Sequence, residues 1–349
     1  KEPLYQEQAY VFGTQVDVSI YGEDEAQARQ ATVAVMHEFQ RLHDLLHAWK
    51  PSELSDLNKA IAQGKRIQVS PELAGMLKDA AQVSKQSDGL FNPAIGGLIQ
   101  AWGFQAEDFK AELPDAKRVA ALVKAKPQMK DLVISKPNPP QPSLVREGAV
   151  RTSPDKGRLG GVAVNSRNRS VQIDLGGYAK GYALDRAAAI LKEQGIHNAL
   201  INIGGNVMAL GNHGTRPWVV GIQHPRRPGP LAILELHDGE AIGTSGDYQR
   251  YFELDGKRYC HLIDPRNGYP VQGVQAVTIL TRGGQAGLRS DSNSKPLFIA
   301  GVQGWQEAAR SMQVEEALLI DGQGMVHLTA NMQKRIKFTD ESTPRKIVQ

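Results

Sequence analysis

The spacing of apolar residues predicts both strands and helices in the first third of the chain. Residues 10–21 alternate between apolar and polar side chains and predict a strand, whereas residues 24–47 carry apolar side chains at helical spacing and predict a long amphipathic helix. Ser70 followed by Pro71 predicts the start of another helix, because serine caps helix N-termini and proline is tolerated in the first turn.

The second half of the chain shows shorter segments, mostly strand-like. The pattern predicts a strand at 162–174, a helix at 178–194, strands at 198–203 and 275–281, a polar stretch at 283–294 and then an apolar helix. Asp255 and Gly256 predict a tight hairpin turn between two strands. The expected fold class is α+β, with mostly antiparallel sheets and flanking helices.

Residues 134–160 interrupt this pattern. Four prolines in seven residues (136–142), followed by glycine, serine and charged residues, cannot join a helix or a central strand. We interpret this segment as an exposed excursion within a single unit that covers residues 1–349, and not as a linker between domains.

Composition narrows the class of protein. With 41% hydrophobic and 22% charged residues in 349, the chain resembles a soluble globular protein, and no run of 18 apolar residues predicts a transmembrane segment. The net charge of +4 is small and its basic residues are interspersed with acids, which argues against nucleic acid as a partner. Cys260 is the single cysteine, so an internal disulfide and a cysteine-based zinc site are excluded.

The junction at residues 174–185 is the most informative segment. Its sequence, Asp-Leu-Gly-Gly-Tyr-Ala-Lys-Gly-Tyr-Ala-Leu-Asp, lies between a predicted strand and a predicted helix. Glycines there let backbone amides approach a phosphate, and a helix N-terminus adds partial positive charge. Lys180 is placed to pair with such a phosphate. A Gly-Gly turn before a helix is also common as a simple tight connection.

Three further segments each allow a structural and a functional interpretation. Residues 89–104 are either a buried turn with a packing helix or a wall for a flat ring, with Phe91 and Asn92 in contact with it. His261, at a strand end, is either structural or a general base. Asp291, among hydroxyl and amide side chains, suits either Mg²⁺ or a helix cap.

Taken together, these segments resemble the ApbE family, the FAD:protein FMN transferases. The resemblance covers nearly the whole chain, in the family's order, with two of the matching segments long. The matching segments are Phe12–Thr14, Trp49–Asn58, Phe91–Phe104, Asp174–Gly181, Asn202–Gly205, Thr244–Asp247 and His261–Pro265.

The resemblance implies an ApbE-like, T-fold-related architecture and transfer of FMN from FAD to a Ser or Thr hydroxyl of a target protein, with AMP as the leaving group. It implies His261 as the general base. It implies metal contacts at the Gly177 carbonyl, Asp291 and Ser294, with Mg²⁺ as the expected ion. The implied flavin contacts are Phe12 (usually Met in the family), Trp49, Leu90, Phe91, Asn92 (more usually Asp), Asp174, Lys180 and Ile263.

One residue departs from the family pattern. Lys295 stands four residues after Asp291, where the family usually has a threonine whose hydroxyl binds the metal. An ammonium has no lone pair to give a cation. Either the lysine points away and another oxygen binds Mg²⁺, or its charge partly takes the metal's place against the pyrophosphate; we expect a metal site that is weakened but present.

Alternatives to the transferase remain at this stage: an FAD pyrophosphatase that yields FMN and AMP, a non-catalytic flavin-binding maturation partner, or an α+β protein without flavin. The resemblance further implies an acceptor subunit in a membrane electron-transfer complex and a periplasmic location. A start at Lys1, without an initiator Met, is what an exported chain without its leader would show and equally what a trimmed sequence would show.

Overall fold

The computed structural model describes residues 3–136 and 160–349. Most of the excursion predicted at 134–160, namely residues 137–159, lies outside the described residues. Within the described ranges, no helix combines the length and the apolar character that crossing a bilayer requires.

The secondary structure alternates short strands with helices. The helices are α1 (Glu25–Leu45), α2 (Glu53–Ala62), α3 (Pro71–Gln86), α4 (Gly96–Ala101), α5 (Ala116–Ala125), α6 (Ala179–Glu193), α7 (Ala286–Ser292), α8 (Ser294–Ser311) and α9 (Ala330–Arg335). The strands are β1 (Leu4–Val11), β2 (Thr14–Tyr21), β3 (Ile67–Val69), β4 (Leu132–Ile134), β5 (Val162–Ser166), β6 (Ala199–Ile203), β7 (Asn206–Leu210), β8 (Trp218–Gln223), β9 (Pro230–Leu236), β10 (Ala241–Gly246), β11 (Tyr251–Leu254), β12 (Lys257–Cys260), β13 (Ile263–Asp264), β14 (Tyr269–Pro270), β15 (Val274–Thr281), β16 (Glu316–Asp321), β17 (Val326–Thr329), β18 (Ile336–Phe338) and β19 (Arg345–Val348).

A nine-stranded sheet with the order β1-β2-β6-β7-β10-β15-β16-β17-β19 forms the frame of the fold. Its paired strands are antiparallel except for β17 and β19, which run parallel. Smaller sheets, β18-β9-β8 and β3-β5-β4, and the hairpins β11-β12 and β13-β14 surround it. The prediction of an α+β fold with mostly antiparallel sheets is confirmed.

The central strands of this sheet are buried on both faces. In β16, Ala317 and Leu319 pack with α1 and α6 in one core, while Leu318 and Ile320 pack with β8 and β9 in a second core. Successive side chains of a strand point to opposite faces, so a strand covered on both sides needs apolar residues at consecutive positions. This explains why consecutive residues of β15 and β16 are buried.

Several local predictions are confirmed. The helix predicted at 24–47 is α1, and the Ser70 hydroxyl accepts a hydrogen bond from the Leu73 amide at 3.2 Å as the cap of α3. Asp255 and Gly256 have φ angles of 52° and 74°, as the predicted primed turn between β11 and β12 requires.

Three boundaries were predicted wrongly, each because of a contact that the apolar pattern does not report. The strand predicted at 10–21 contains the whole of β2 but also the end of β1, because the chain turns at Phe12 and Gly13, with φ angles of 56° and 70°. The strand predicted at 162–174 ends with β5, because the Asn168 side chain accepts a hydrogen bond from the Ser170 amide at 3.0 Å and forms a turn. The polar stretch at 283–294 contains α7, whose first amides are capped from another helix, as described below.

Buried Asn58 fixes the segment that leads to the 174–185 junction. Its Nδ2 donates to the Ile173 carbonyl at 2.8 Å and its Oδ1 accepts from the Ile173 amide at 2.6 Å. The side chain therefore pairs with both backbone groups of Ile173, as a neighbouring strand would, and this holds Asp174 at the end of an extended segment.

We expect Asn58→Ala to lower the free energy of unfolding by about 1–3 kcal/mol, because it leaves two buried backbone groups of Ile173 unpaired. Urea denaturation followed by circular dichroism measures this difference, with Asn331→Ala on the exposed face of α9 as the matched control. Equal unfolding midpoints for Asn58→Ala and the parent would contradict the assignment.

Candidate active site

The N-terminus of α6 follows a turn that is held by Asp174. Asp174 Oδ1 accepts a hydrogen bond from the Gly176 amide at 2.8 Å, and Oδ2 accepts one from Trp49 Nε1 at 3.2 Å. The structure thus brings together Trp49 and Asp174, two residues 125 positions apart that were both predicted as flavin contacts. The turn leads directly into α6, so the helix N-terminus, which carries partial positive charge, lies close to Asp174.

Helices α6 and α7 approach closely at Gly181. A Cβ atom at position 181 would lie 2.5 Å from the Gly287 carbonyl oxygen and 2.6 Å from the Cβ of Asp291. In return, Asp185 of α6 accepts hydrogen bonds from the amides of Gly287 and Leu288, both at 2.9 Å. This carboxylate caps α7 from another helix, which is why the chain becomes helical within a stretch that the sequence pattern predicts to be a polar loop.

Lys180 lies in the first turn of α6 with no hydrogen-bond or ion-pair partner among the described residues. Burial lowers its pKa, and the charges of Lys295 and Arg250 lower it further, while Asp291 opposes them. An unpaired, desolvated ammonium beside a helix N-terminus favours an anionic ligand. This is the environment that the prediction of a phosphate contact at Lys180 requires.

His261 follows β12, and its imidazole is oriented by the backbone of Arg250. The His261 amide donates to the Arg250 carbonyl at 2.9 Å, and ring Nδ1 lies 3.2 Å from the same oxygen. A carbonyl only accepts, so we assign the proton of the neutral ring to Nδ1, and Nε2 keeps the lone pair that a general base needs.

The charge state of His261 is set by its surroundings. Burial, and then the positive charges of Arg250, Lys180 and Lys295, lower the pKa of the imidazole to about 3. The electrostatic environment of this ring is therefore positive. A bound dianion would neutralise part of that charge and move the pKa of His261 back towards its ordinary value.

Arg250 is a site residue that the sequence analysis missed. Its guanidinium donates to the carbonyls of Phe104 and Ala106 at 2.7 and 3.2 Å and lies 5.0 Å from the centre of the Phe109 ring. No carboxylate of the described residues forms an ion pair with it. The one sequence signal was its position three residues after the Thr244–Asp247 motif, immediately before β11.

The other predicted flavin contacts differ in how much surface they expose. Phe12 is partly buried, with its ring centre 5.8 Å from that of Phe39, and Leu90 is also partly buried. Phe91 and Ile263 are buried in two apolar cores. The Asn92 side chain donates to the Pro127 carbonyl at 3.0 Å and accepts from the Ala94 amide at 3.0 Å, so it already shapes a turn.

The residues expected to bind a metal do not fit Mg²⁺ in this arrangement. Asp291 Oδ1 is 2.7 Å from the Lys295 ammonium, and Oδ2 accepts from the Gly181 amide at 3.0 Å. The Ser294 hydroxyl hydrogen-bonds with the Ser245 hydroxyl at 2.8 Å and with the Asp291 carbonyl at 2.9 Å. Within the described ranges, no three His, Cys, Asp or Glu side chains form a metal-binding cluster.

The chain is similar to one family over most of its length. The model of the ApbE family matches residues 12–319. The FAD:protein FMN transferase of Rhodobacter capsulatus is 38% identical over 345 residues, which cover 99% of this chain and 61% of that protein. This chain therefore spans less than two thirds of the length of that relative. A FAD:protein FMN transferase of Klebsiella pneumoniae (strain 342) is 30% identical over 322 residues, 91% of this chain and 89% of that protein.

The fold is also similar to that of solved structures. The crystal structure of the ApbE protein from Thermotoga maritima matches with a TM-score of 0.78 and 27% identity over 95% of this chain and 99% of that chain. The flavin transferase ApbE from Vibrio cholerae has the same fold, with a TM-score of 0.75 at 23% identity over 96% of this chain and all of that chain.

We expect the His261 imidazole to stay neutral down to about pH 5 in the ligand-free protein, well below the ordinary pKa of about 6.5. Its pKa is lowered to about 3, so the ring gains a proton only in stronger acid. The measurement is an NMR titration of the ring resonance that disappears in His261→Ala, with free imidazole in the same buffer as control. A midpoint near pH 6.5 would show that burial and the neighbouring cations do not control the charge of this ring.

Proposed function

Because the chain belongs to the ApbE family, we propose that it is an enzyme that transfers FMN from FAD to a Ser or Thr hydroxyl of a target protein and releases AMP. The observation that carries the proposal is the arrangement of the site: Lys180 lies in the first turn of α6, Lys295 packs against the turn before it, and the backbone of Arg250 orients the imidazole of His261. A set of cations beside a base suits attack of a hydroxyl on an anionic phosphorus.

The reaction follows from these positions. The acceptor hydroxyl oxygen attacks the phosphorus of the FMN half of the pyrophosphate and gives up its proton to His261 Nε2. The new bond joins the acceptor oxygen to phosphorus, and the bond from that phosphorus to the bridging oxygen breaks. AMP leaves with the electron pair, and the cations stabilise the charge that builds up on its phosphate.

FAD has a role here as both ligand and substrate. Trp49 and Asp174, joined by a hydrogen bond, and Phe12 and Leu90 are all partly buried and so keep exposed surface for contact with its ring system. The backbone amides and Lys180 in the first turn of α6 bind the pyrophosphate of FAD. Binding of FAD brings negative charge to the cations and so raises the pKa of His261 towards the range in which a base works well.

The test is incubation of the protein with FAD and an acceptor domain that carries a Ser or Thr in a surface loop, followed by intact-mass measurement of the acceptor. We expect a gain of the mass of FMN, and we expect His261→Ala to reduce the rate by about 10²–10⁴-fold while FAD binding, followed by flavin fluorescence, changes by no more than a few-fold. AMP release without labelled acceptor would instead indicate an FAD pyrophosphatase. FAD binding with neither product would indicate a flavin-binding maturation partner.

We also propose that the acceptor is a subunit of a membrane electron-transfer complex and that the protein acts in the periplasm. The support is the family resemblance, which implies acceptors of that kind. Fractionation of cells that express the complete gene tests the location, and we expect the protein in the periplasmic fraction with a cytosolic marker protein absent from it. Recovery of the mature protein with that cytosolic marker would contradict the proposed location.

A further inference from the structure

Asp291 lies at the end of α7, buried between α6 and α8, with each carboxylate oxygen already occupied. Oδ2 accepts from the Gly181 amide, and Oδ1 accepts from Lys295 Nζ at 2.7 Å. Lys295 Nζ also donates to the Asp291 carbonyl at 3.1 Å. A divalent cation bound to Oδ1 would lie next to this ammonium and be repelled by it. The ammonium therefore stands where a cation bound to Asp291 would stand.

The lysine is built into the site and does not lie on an open surface. Its side chain is 13% exposed and that of Asp291 only 2%. The stem of Lys295 lies against the turn before α6, because a Cβ at Gly177 would be 3.2 Å from Lys295 Cε. The lysine thus packs against Gly177 and pairs with Asp291, which are two of the three positions expected to hold the metal.

We propose that the Lys295 ammonium is the resident cation of this site and takes the place of a divalent metal ion in binding the pyrophosphate of FAD. An ammonium has three N–H donors. One donates to Asp291 Oδ1 and one to the Asp291 backbone carbonyl, and the third remains for a phosphate oxygen. Lys295 acts with Lys180 and Arg250, which together supply three positive charges to a pyrophosphate that carries two negative ones.

In this arrangement, Asp291 anchors the ammonium and does not bind a metal. Its carboxylate is held by the Gly181 amide on one side and holds Lys295 on the other. Ser294 supports the same anchor, since its hydroxyl hydrogen-bonds with the Asp291 carbonyl. The positive charge that the family pattern expects from an exchangeable metal ion is supplied here by a side chain.

The inference rests on the proposed function only in that FAD is the ligand, so its first readout is binding and not transfer. We expect the dissociation constant for FAD, measured by flavin fluorescence, to agree within about twofold between EDTA and millimolar Mg²⁺ for the parent protein, since charge neutralisation is complete without a metal. A tenfold or larger tightening by Mg²⁺ would overturn the proposal.

The variant test uses Lys295→Met in EDTA. We expect it to weaken FAD binding by about tenfold or more, because a charge-assisted hydrogen bond to phosphate is lost. Riboflavin, which has no phosphate, should bind equally to variant and parent. Lys295→Arg should retain most of the FAD affinity, and Lys334→Met on the exposed surface of α9 is the matched control. Unchanged FAD affinity in Lys295→Met would overturn the proposal.

Asp291 provides the discriminating variant and a safeguard against misfolding. Lys295→Met leaves a buried carboxylate unpaired, so the double variant Asp291→Asn/Lys295→Met removes both charges and should show the same loss of FAD affinity. Asp291→Asn alone keeps the ammonium but loses its anchoring carboxylate, so the readout is the response to Mg²⁺ and not the FAD affinity itself: we expect the dissociation constant for FAD of this variant, like that of the parent, to change by no more than about twofold between EDTA and Mg²⁺. Tightening of FAD binding by Mg²⁺ in the parent but not in folded Asp291→Asn would identify Asp291 as a metal ligand and overturn the proposal.

Transfer to the acceptor domain is the second readout. If the parent transfers FMN, we expect equal initial rates in EDTA and in Mg²⁺. An EDTA-sensitive rate that Mg²⁺ restores would overturn the inference while supporting the proposed function. Absence of transfer in both media, with metal-independent FAD binding that Lys295→Met weakens, would contradict the transferase and support the role of Lys295.

Discussion

The close approach of α6 and α7 at Gly181 is the constraint on which the site depends. No side chain fits at position 181, because even a Cβ atom would lie 2.5 Å from the Gly287 carbonyl oxygen. Without a side chain there, the Gly181 amide reaches the Asp291 carboxylate and the Asp185 carboxylate reaches the first amides of α7. The two helices therefore satisfy each other's polar groups, and their separation determines where Asp291, Lys295 and Lys180 lie relative to one another.

The excess of positive charge at this junction has a cost that the rest of the protein offsets. Lys180 has no partner among the described residues, and the guanidinium of Arg250 is held by carbonyl oxygens in place of a carboxylate. Desolvated cations that are left unpaired oppose folding, and such groups collect at functional sites. Apolar side chains buried on both faces of the nine-stranded sheet stabilise the folded state and offset this cost. A bound pyrophosphate would remove the repulsion, so ligand binding and stability are coupled.

The sequence predicted those parts of the fold and site whose cause is local. The helix at 24–47, the Ser70 cap and the Asp255-Gly256 turn depend on neighbouring residues, and all three are present. Helix α7 was not predicted, because its cap comes from Asp185, about 100 residues earlier. Arg250 was missed for the same reason: its importance comes from the carbonyls and the imidazole that the fold gathers around it, and nothing in its immediate sequence reports them.

Position 295 shows where a family pattern and a structure give different information. The pattern identified the lysine as a departure but could not decide whether it points away from Asp291 or towards it. The decision is made by the path from α7 into α8, which stays helical across Asn293 and so places residue 295 one turn after residue 291, on the same face. A threonine at that place would end at its γ atoms, whereas the lysine extends past Gly177 and carries a charge to the carboxylate. In the arrangement that we propose, the lysine at this one position therefore changes both the cation of the site and the role of Asp291.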